Sequence, residues 1–237
     1  FLPRKIMLTI VCWKWKKHRS GFQLPGVVSY TAHHVNVLKN MLERHCHIPF
    51  RFVCLTDDPR NVQCETLPIP TQYAELGGCY RRLWMFSDEA KSLGERIASI
   101  DLDCVIVKDC TDIFNRSEDF IINAYNPCHA GERDQHYNGG LMLFNTGSRP
   151  ELWNGFDPVE TPLMLEESRK QNVCIGSDQA WIRMKLGKGE ARYTNADGVY
   201  EARQIKLVLP RNARIIFFSG RRDPLCDRRR WVRENWR

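Results

Sequence analysis

No run in this 237-residue chain approaches the roughly 18 consecutive apolar residues that a membrane span requires. The opening Phe1-Leu2-Pro3-Arg4-Lys5 is charged too early to read as a secretory leader. The chain has no internal repeat and no low-complexity segment, so one domain over 1–237 is the economical reading. The ten cysteines include no C-x-x-C pair. His33-His34 and His45-Cys46-His47 lack a second ligand pair at finger spacing, which argues against structural zinc. Several cysteines, such as Cys54 and Cys104, lie in strand-like apolar runs and read as buried free thiols of a reducing compartment. A cytoplasmic enzyme, bacterial or viral, is the expectation. Glycine is missing where a phosphate loop would need it. After the first apolar segment comes Cys12-Trp13-Lys14-Trp15-Lys16-Lys17, basic but without a glycine until Gly21. A nucleotidyltransferase would normally carry such a loop, and this weakens that alternative.

What is present is an ordinary globular composition, 43% hydrophobic and 27% charged, long enough for a substantial core. The net charge of +7 is unevenly placed. Residues 1–20 carry six Lys/Arg and no acid; residues 203–237 carry a net +8; the middle is net −7. Tryptophans are interleaved with the basic ends (Trp13, Trp15, Trp231, Trp236), and the segment about 220–237 is distinctly basic. Such ends could grip an anionic partner, nucleic acid included, or could equally be solvated terminal segments.

Apolar β-rich runs predict strands over 5–12, 50–55, 97–100, 119–125, 140–145 and 214–218. A helix over 31–45 carries Val35, Leu38, Met41 and Leu42 on one stripe. Further helices are expected over 80–92, from a cap at Thr161-Pro162, and from Ser177 to about 186. Strands and helices alternate in the first half. This predicts an α/β fold with a mostly parallel central sheet flanked by helices, and ligands at the carboxyl ends of the strands.

Asp101-Leu102-Asp103 interrupts that apolar pattern at the end of a strand. Carboxylates at i and i+2 of a strand point to one side, and an unpaired pair in a sheet interior costs several kcal/mol to desolvate. A divalent cation between them and a polyphosphate would resolve the repulsion, with hard oxygen ligands suited to Mn²⁺ or Mg²⁺. Taken alone, so short a motif is more often a solvated pair at a turn.

Its neighbours change the odds. Arg82-Leu83-Trp84, then Ile100-Asp101-Leu102-Asp103, then Tyr137-Asn138-Gly139-Gly140-Leu141, then Gly176-Ser177-Asp178-Gln179-Ala180, then Phe217-Phe218-Ser219-Gly220 with Pro224 occur in that order. The ordered set resembles the family 8 glycosyltransferases, the glycogenin-like group with the GT-A fold, over roughly residues 5–235. The resemblance implies transfer of a sugar from a UDP-sugar to an acceptor hydroxyl, with retained configuration and a divalent metal. Among bacterial relatives a surface glycan or lipid-linked glycan is the common acceptor. A hydroxymethylated DNA base is the minority case and would have to be flipped into the site.

Carried over residue by residue, the resemblance assigns Asp101 and Asp103 to the metal and Arg82 to the phosphates. Asn138 and Gly139 go to the donor sugar, and Asp178 and Gln179 to its reacting end. Tyr30 matches an aromatic that stacks on the base, and Asp57 could receive the base imide N–H. Each has a plainer reading: a surface arginine, a turn before a strand, an acid in the first turn of a helix. One departure stands out. The family's late H-x-G-x-x-K motif supplies a third metal ligand and a phosphate lysine. Here Ser219-Gly220-Arg221-Arg222-Asp223-Pro224 occupies its place, with Ser219 read for the histidine and Asp223 for the lysine. Gly220 and Arg222 are then the expected phosphate contacts. Weaker metal binding, a preference for Mg²⁺, and compensation by another group such as Asp223 all follow as readings. A non-catalytic binding module on the same fold stays open.

Overall fold

The computed structural model describes residues 7–15, 30–74, 76–125, 136–171, 176–220 and 222–237. Strand β1 (Leu8–Lys14) is buried along its whole length. It is followed by helix α1 (Ala32–His45), β2 (Phe50–Thr56), β3 (Glu65–Pro68) and a short α2 (Thr71–Ala74). β4 (Arg96–Ile100), β5 (Cys104–Ile106), α3 (Thr111–Phe114), β6 (Phe120–Ala124) and β7 (Tyr137–Asn145) make the middle. α4 (Glu151–Asn154), α5 (Glu160–Lys170), α6 (Asp178–Leu186), β8 (Ala191–Tyr193), β9 (Val199–Glu201), β10 (Ile215–Phe217) and α7 (Arg230–Asn235) complete the described chain.

Seven strands form the main sheet in the order β3-β2-β1-β4-β7-β6-β8. It is mostly parallel, as expected; β7 alone runs antiparallel to both its neighbours. Successive residues of β1 serve opposite faces, as the strand period of two requires. Ile10 and Cys12 join Val35, Leu38, Met41 and Leu42 of α1 on one side. Val11 and Trp13 meet Leu83, Trp84, Phe86, Trp181 and Ile182 on the other. Both faces are covered, so the central strands read as continuous apolar runs.

A second, three-stranded sheet, β5-β10-β9, was not evident in the sequence. β4 ends at Ile100, Asp101 N–H still donates to Gly140 O (2.9 Å), and the chain then leaves the main sheet to enter β5. Asp101 and Asp103 therefore sit on the link between two sheets, not on a strand. β10 closes over this link: Phe218 N–H donates to Asp103 O at 2.7 Å.

Three local expectations are corrected. The helix over 80–92 is two 3₁₀ segments, Tyr80–Phe86 and Glu89–Leu93, parted by Ser87 in an extended conformation. All seven residues of the first are buried, so tertiary burial rather than a helical stripe shapes it. The helix expected to start at Pro162 behind a cap at Thr161 begins two residues earlier, at Glu160. Asp157 caps it, its Oδ1 accepting from Val159 and Glu160 N–H, both at 2.7 Å. The basic segment after 220 is partly folded. Arg229 donates to Ala202 O (3.1 Å) and Ile205 O (2.7 Å) and lies over the rings of Phe218 and Trp231. Arg44 of α1 donates to the carbonyls of Asn235 and Arg237. Most of the Trp-rich stretch after β1 lies outside the described residues. Eight cysteines are described, all unpaired and five of them buried. No described helix is long and apolar enough to cross a membrane.

Candidate active site

The carboxyl end of β4 gathers residues from six places in the chain. The 3₁₀ segment Tyr80–Phe86 brings Arg82, whose guanidinium is 5% exposed. It contacts Asp101 Oδ1, lies 2.7 Å from Asp178 Oδ2 and donates to Gly139 O at 3.2 Å. The surface-arginine reading of Arg82 is thereby removed. Burial opposes its charge, and the Asp101 and Asp178 carboxylates more than offset that, holding its pKa well above the ordinary value.

The turn 138–140 is made by an irregularity in the sheet. β6 pairs with β7 in register as far as Ile122↔Met142, then resumes at Asn123↔Asn138. Residues 139–141 bulge out of that pairing, and bulges of this kind re-aim side chains beside functional sites. Asn138 Oδ1 accepts from Gly140 N–H at 2.7 Å, closing the turn. Glycine is needed at 139 for close approach: a Cβ there would fall 2.9 Å from Arg82 Nη2 and 3.0 Å from Asp178 Oδ2.

α6 starts at Asp178, whose carboxylate is 3% exposed. Ser177 holds the N-cap position without capping; its hydroxyl instead accepts from Cys79 N–H at 2.7 Å and ties α6 to the Arg82 segment. Gln179 Oε1 accepts from Gly139 N–H at 3.2 Å. Asp178, Gln179, Asn138, Gly139, Arg82 and Asp101 are thus one connected constellation.

Asp103 is buried on the other side of Asp101 and accepts from the Tyr30 hydroxyl (Oδ2, 3.0 Å). Tyr30 also packs edge-on to His34, its ring centroid 5.3 Å away. Burial raises the pKa of Asp103 well above its ordinary value and that of Asp101 to a lesser degree, and the Asp101 charge adds to the effect on Asp103. An open cleft of about 770 Å³ borders Tyr30 and is lined by Lys14, Trp15, His33, Asp58 and Arg60 among others. Asp57 stands exposed one residue after β2, and its neighbour Asp58 lines the cleft instead.

The late motif falls differently from expectation. Ser219 lies one residue before Gly220, whereas an H-x-G spacing puts the ligand two before it. There Phe218 is fully buried and packs on Trp231. Ser219 Oγ donates to Glu201 Oε1 at 2.8 Å. Gly220 is exposed with φ +87, a left-handed turn at the rim. Arg222 is exposed and its charge is felt by Asp227. Asp223 lies 3.3 Å from His34 Nε2 and caps Leu225 N–H. It is thus held at His34, and its charge is felt by Tyr30, the partner of Asp103.

Glu201 is the residue that sequence reasoning missed. It ends β9, 2% exposed, and also accepts from Asn138 Nδ2 at 3.3 Å. Burial raises its pKa, and the Asp101 charge adds to this while Ser219 and Arg203 oppose it. Only the pairing of β9 with β10, Glu201 opposite Phe217, brings it here. Nothing in the local sequence marks it. Among the described residues no three His, Cys, Asp or Glu side chains converge tightly enough to enclose a cation, because Asp101 is turned to Arg82 and Asp103 to Tyr30.

No protein-family model and no curated protein sequence matches the chain. Among solved structures it is similar to the galactosyltransferase LgtC in complex with donor and acceptor sugar analogues. The TM-score is 0.58 at 14% identity, covering 93% of this chain and 90% of that one. It is also similar to an active-site mutant of LgtC, with a TM-score of 0.60 at 12% identity, covering 94% of this chain and 91% of that one. At these identities the likeness establishes the architecture: the chain has the GT-A fold of these glycosyltransferases.

Proposed function

We propose that this chain is a metal-dependent glycosyltransferase that moves a sugar from a UDP-sugar to an acceptor hydroxyl with retained configuration, as the family 8 resemblance implies. The observation that carries the reading is the convergence of Arg82, Asp101, Asn138, Asp178 and Gln179 at the carboxyl end of β4, on a glycosyltransferase fold.

The donor set suits Mn²⁺ or Mg²⁺: oxygen ligands only, buried except for the partly exposed Asp101, and in excess over cationic charge. Asp101, Asp103, Asp178 and Glu201 outnumber Arg82, which pairs with Asp101 and Asp178, and Arg203, whose charge reaches Glu201; Glu201 Oε2 is buried without a hydrogen-bond partner among the described residues. Asp101 and Asp103 would hold the ion by exchanging their Arg82 and Tyr30 contacts for it. When bound, it would offset charge developing on the departing diphosphate. Arg82, released from Asp101, has a guanidinium suited to two phosphate oxygens. Asp178 orients the donor sugar. Gln179 is a positioning group, since an amide is a poor nucleophile and its oxygen is already held by Gly139 N–H. The acceptor proton then passes to the leaving phosphate on the same face. Lys14, Trp15 and Tyr30 border the cleft proposed for the nucleotide. A glycan is the acceptor class we favour. Around the basic end, Arg214, Arg229 and Arg230 are paired with Asp112, Asp227 and Glu234, which lowers the charge open to a nucleic acid.

The test is UDP release from a panel of UDP-sugars with Mn²⁺ or Mg²⁺, without acceptor. One donor should be hydrolysed slowly, and Asp103→Ala should lower that rate by about a thousandfold, equivalent to roughly 4 kcal/mol. Failure of every UDP-sugar to bind would refute the reading.

A further inference from the structure

Glu201 is a buried carboxylate on a short strand of the small sheet, and nothing in the proposed reaction so far uses it. Its Oε1 is committed: it accepts from Ser219 Oγ (2.8 Å) and from Asn138 Nδ2 (3.3 Å). Its Oε2 is buried and has no hydrogen-bond partner among the described residues. A carboxylate oxygen left so in a protein interior costs free energy. The residue is nevertheless 2% exposed and pinned in place from two sides.

Its surroundings deepen the problem. Asp101 and Asp103 both lie within electrostatic reach of Glu201. The register explains the proximity. Glu201 pairs with Phe217, Phe217 pairs with Cys104, and Phe218 N–H binds Asp103 O. The three acids therefore stand around one end of the small sheet. Arg82 neutralises Asp101 and Asp178 on the far side. The hydrogen-bond partners of the Asp103 and Glu201 carboxylates are a tyrosine hydroxyl, a serine hydroxyl and an amide, all neutral, and the positive charge that reaches Glu201 is that of half-buried Arg203.

We propose that Glu201 is a third carboxylate ligand of the catalytic cation, standing in for the imidazole that this chain lacks, with Ser219 and Asn138 as the groups that position it. The proposal rests on the glycosyltransferase reading above. It reassigns Ser219 from ligand to support. It also makes the donor set all-carboxylate, which suits hard cations and lessens the advantage of Mn²⁺ over Mg²⁺ that a nitrogen ligand gives.

The experiment titrates Mn²⁺ alone, and Mn²⁺ with UDP, into the whole chain, following the electron paramagnetic resonance signal of free Mn²⁺. Wild type, Asp103→Asn and Glu201→Gln are compared, together with their melting temperatures with and without Mn²⁺. Glu201→Gln preserves the acceptor oxygen for Ser219 and removes the charge. Its Mn²⁺ affinity should fall by about ten- to a hundredfold. Without metal it should melt no lower than wild type, because the underpaired charge is gone, and its stabilisation by Mn²⁺ should shrink. Wild-type affinity in Glu201→Gln alongside a loss in Asp103→Asn overturns the role of Glu201 and leaves the metal-dependent reading standing. A wild type that retains no Mn²⁺, with or without UDP, overturns that reading itself. Should Glu201→Gln not fold, Glu201→Asp keeps the charge and retracts it by one methylene. Weaker Mn²⁺ binding in that variant supports the proposal, and unchanged binding refutes it.

Discussion

Strand β4 carries charge at both of its ends, and the two ends handle it in opposite ways. At the amino end Arg96 donates to Glu118 O, Arg116 O and Asn145 Oδ1. Around it Arg116 pairs with Glu118 and Asp197, and Arg149 with Asp119 and Glu190. Three guanidiniums meet four carboxylates there, most of them partly solvated. The Glu118 carboxyl is pushed down to about 2 by Arg116 and Asp119 below its ordinary value by Arg149. At the carboxyl end four acids meet Arg82 and, at Glu201, the charge of Arg203, and burial raises Asp101 and Glu201 from their ordinary values and Asp103 well above its own. The first cluster is complete as it stands and serves the fold. The second carries more acid than base, and perturbed carboxylates of this kind gather at functional sites. One five-residue strand separates them.

The comparison breaks most sharply at its arginines. Arg82→Met should destabilise the protein by about 3 kcal/mol, because it strands buried Asp178 and leaves Asp101 without its guanidinium. Arg116→Met, at a guanidinium one-third exposed, should cost about 1 kcal/mol or less. Urea melts of both variants check this, and equal losses would remove the distinction between the two ends.

Glycines sharpen it next. Gly139→Ala puts a methyl group against Arg82 and Asp178 and should cost about 1–2 kcal/mol, with a larger loss in donor turnover. Gly189, beside Glu190 at the other end, has open space where a Cβ would go, so Gly189→Ala should change stability by about 0.5 kcal/mol at most. Thermal melts and UDP release separate the two effects.

Titration gives the smallest and most diagnostic contrast. A depressed carboxylate stabilises the fold above its unfolded pKa and loses that contribution as pH falls through the folded value. Glu118→Gln should therefore cost about 1 kcal/mol at neutral pH, after allowance for solvent screening, and nothing near pH 2. A raised carboxylate acts in the other sense: its stabilising share is present below the unfolded pKa and is lost as pH rises through the folded value. In chelator, Asp103→Asn should be the more stable protein at neutral pH, with the gap closing on acidification. Chemical denaturation across pH would reveal both slopes, and slopes of one sign would contradict the contrast.

The sequence made one half of this picture readable. Asp101-Leu102-Asp103, Asn138-Gly139-Gly140 and Asp178-Gln179 are local signals, each at the end of an apolar strand or the start of a helix, and the structure joins them. The parallel sheet followed from the alternation of elements in the first half. What was not legible depends on pairing between distant segments. β10 is the strand expected over 214–218, but β9 has three residues, too few for a period to emerge, and only its pairing with β10 brings Glu201 to Ser219. The 3₁₀ segment around Arg82 is buried on all sides, so no stripe marks it. That Ser219 bonds Glu201 was likewise out of reach, because the two lie on or beside strands whose pairing no local spacing announces.

The Arg229 contacts have a bearing on the site as well as on the tail. Its guanidinium grasps the carbonyls of Ala202 and Ile205, which bracket the 3₁₀ turn that follows Glu201. It is stacked between Phe218, next to Ser219, and Trp231. The basic end of the chain is thus a clasp closed behind the acidic pocket, and its cationic residues are fasteners before they are bait for an anion. Changes made far out along the tail, at a position with no view of the donor, would be felt first as slack in the strand that holds the third carboxylate.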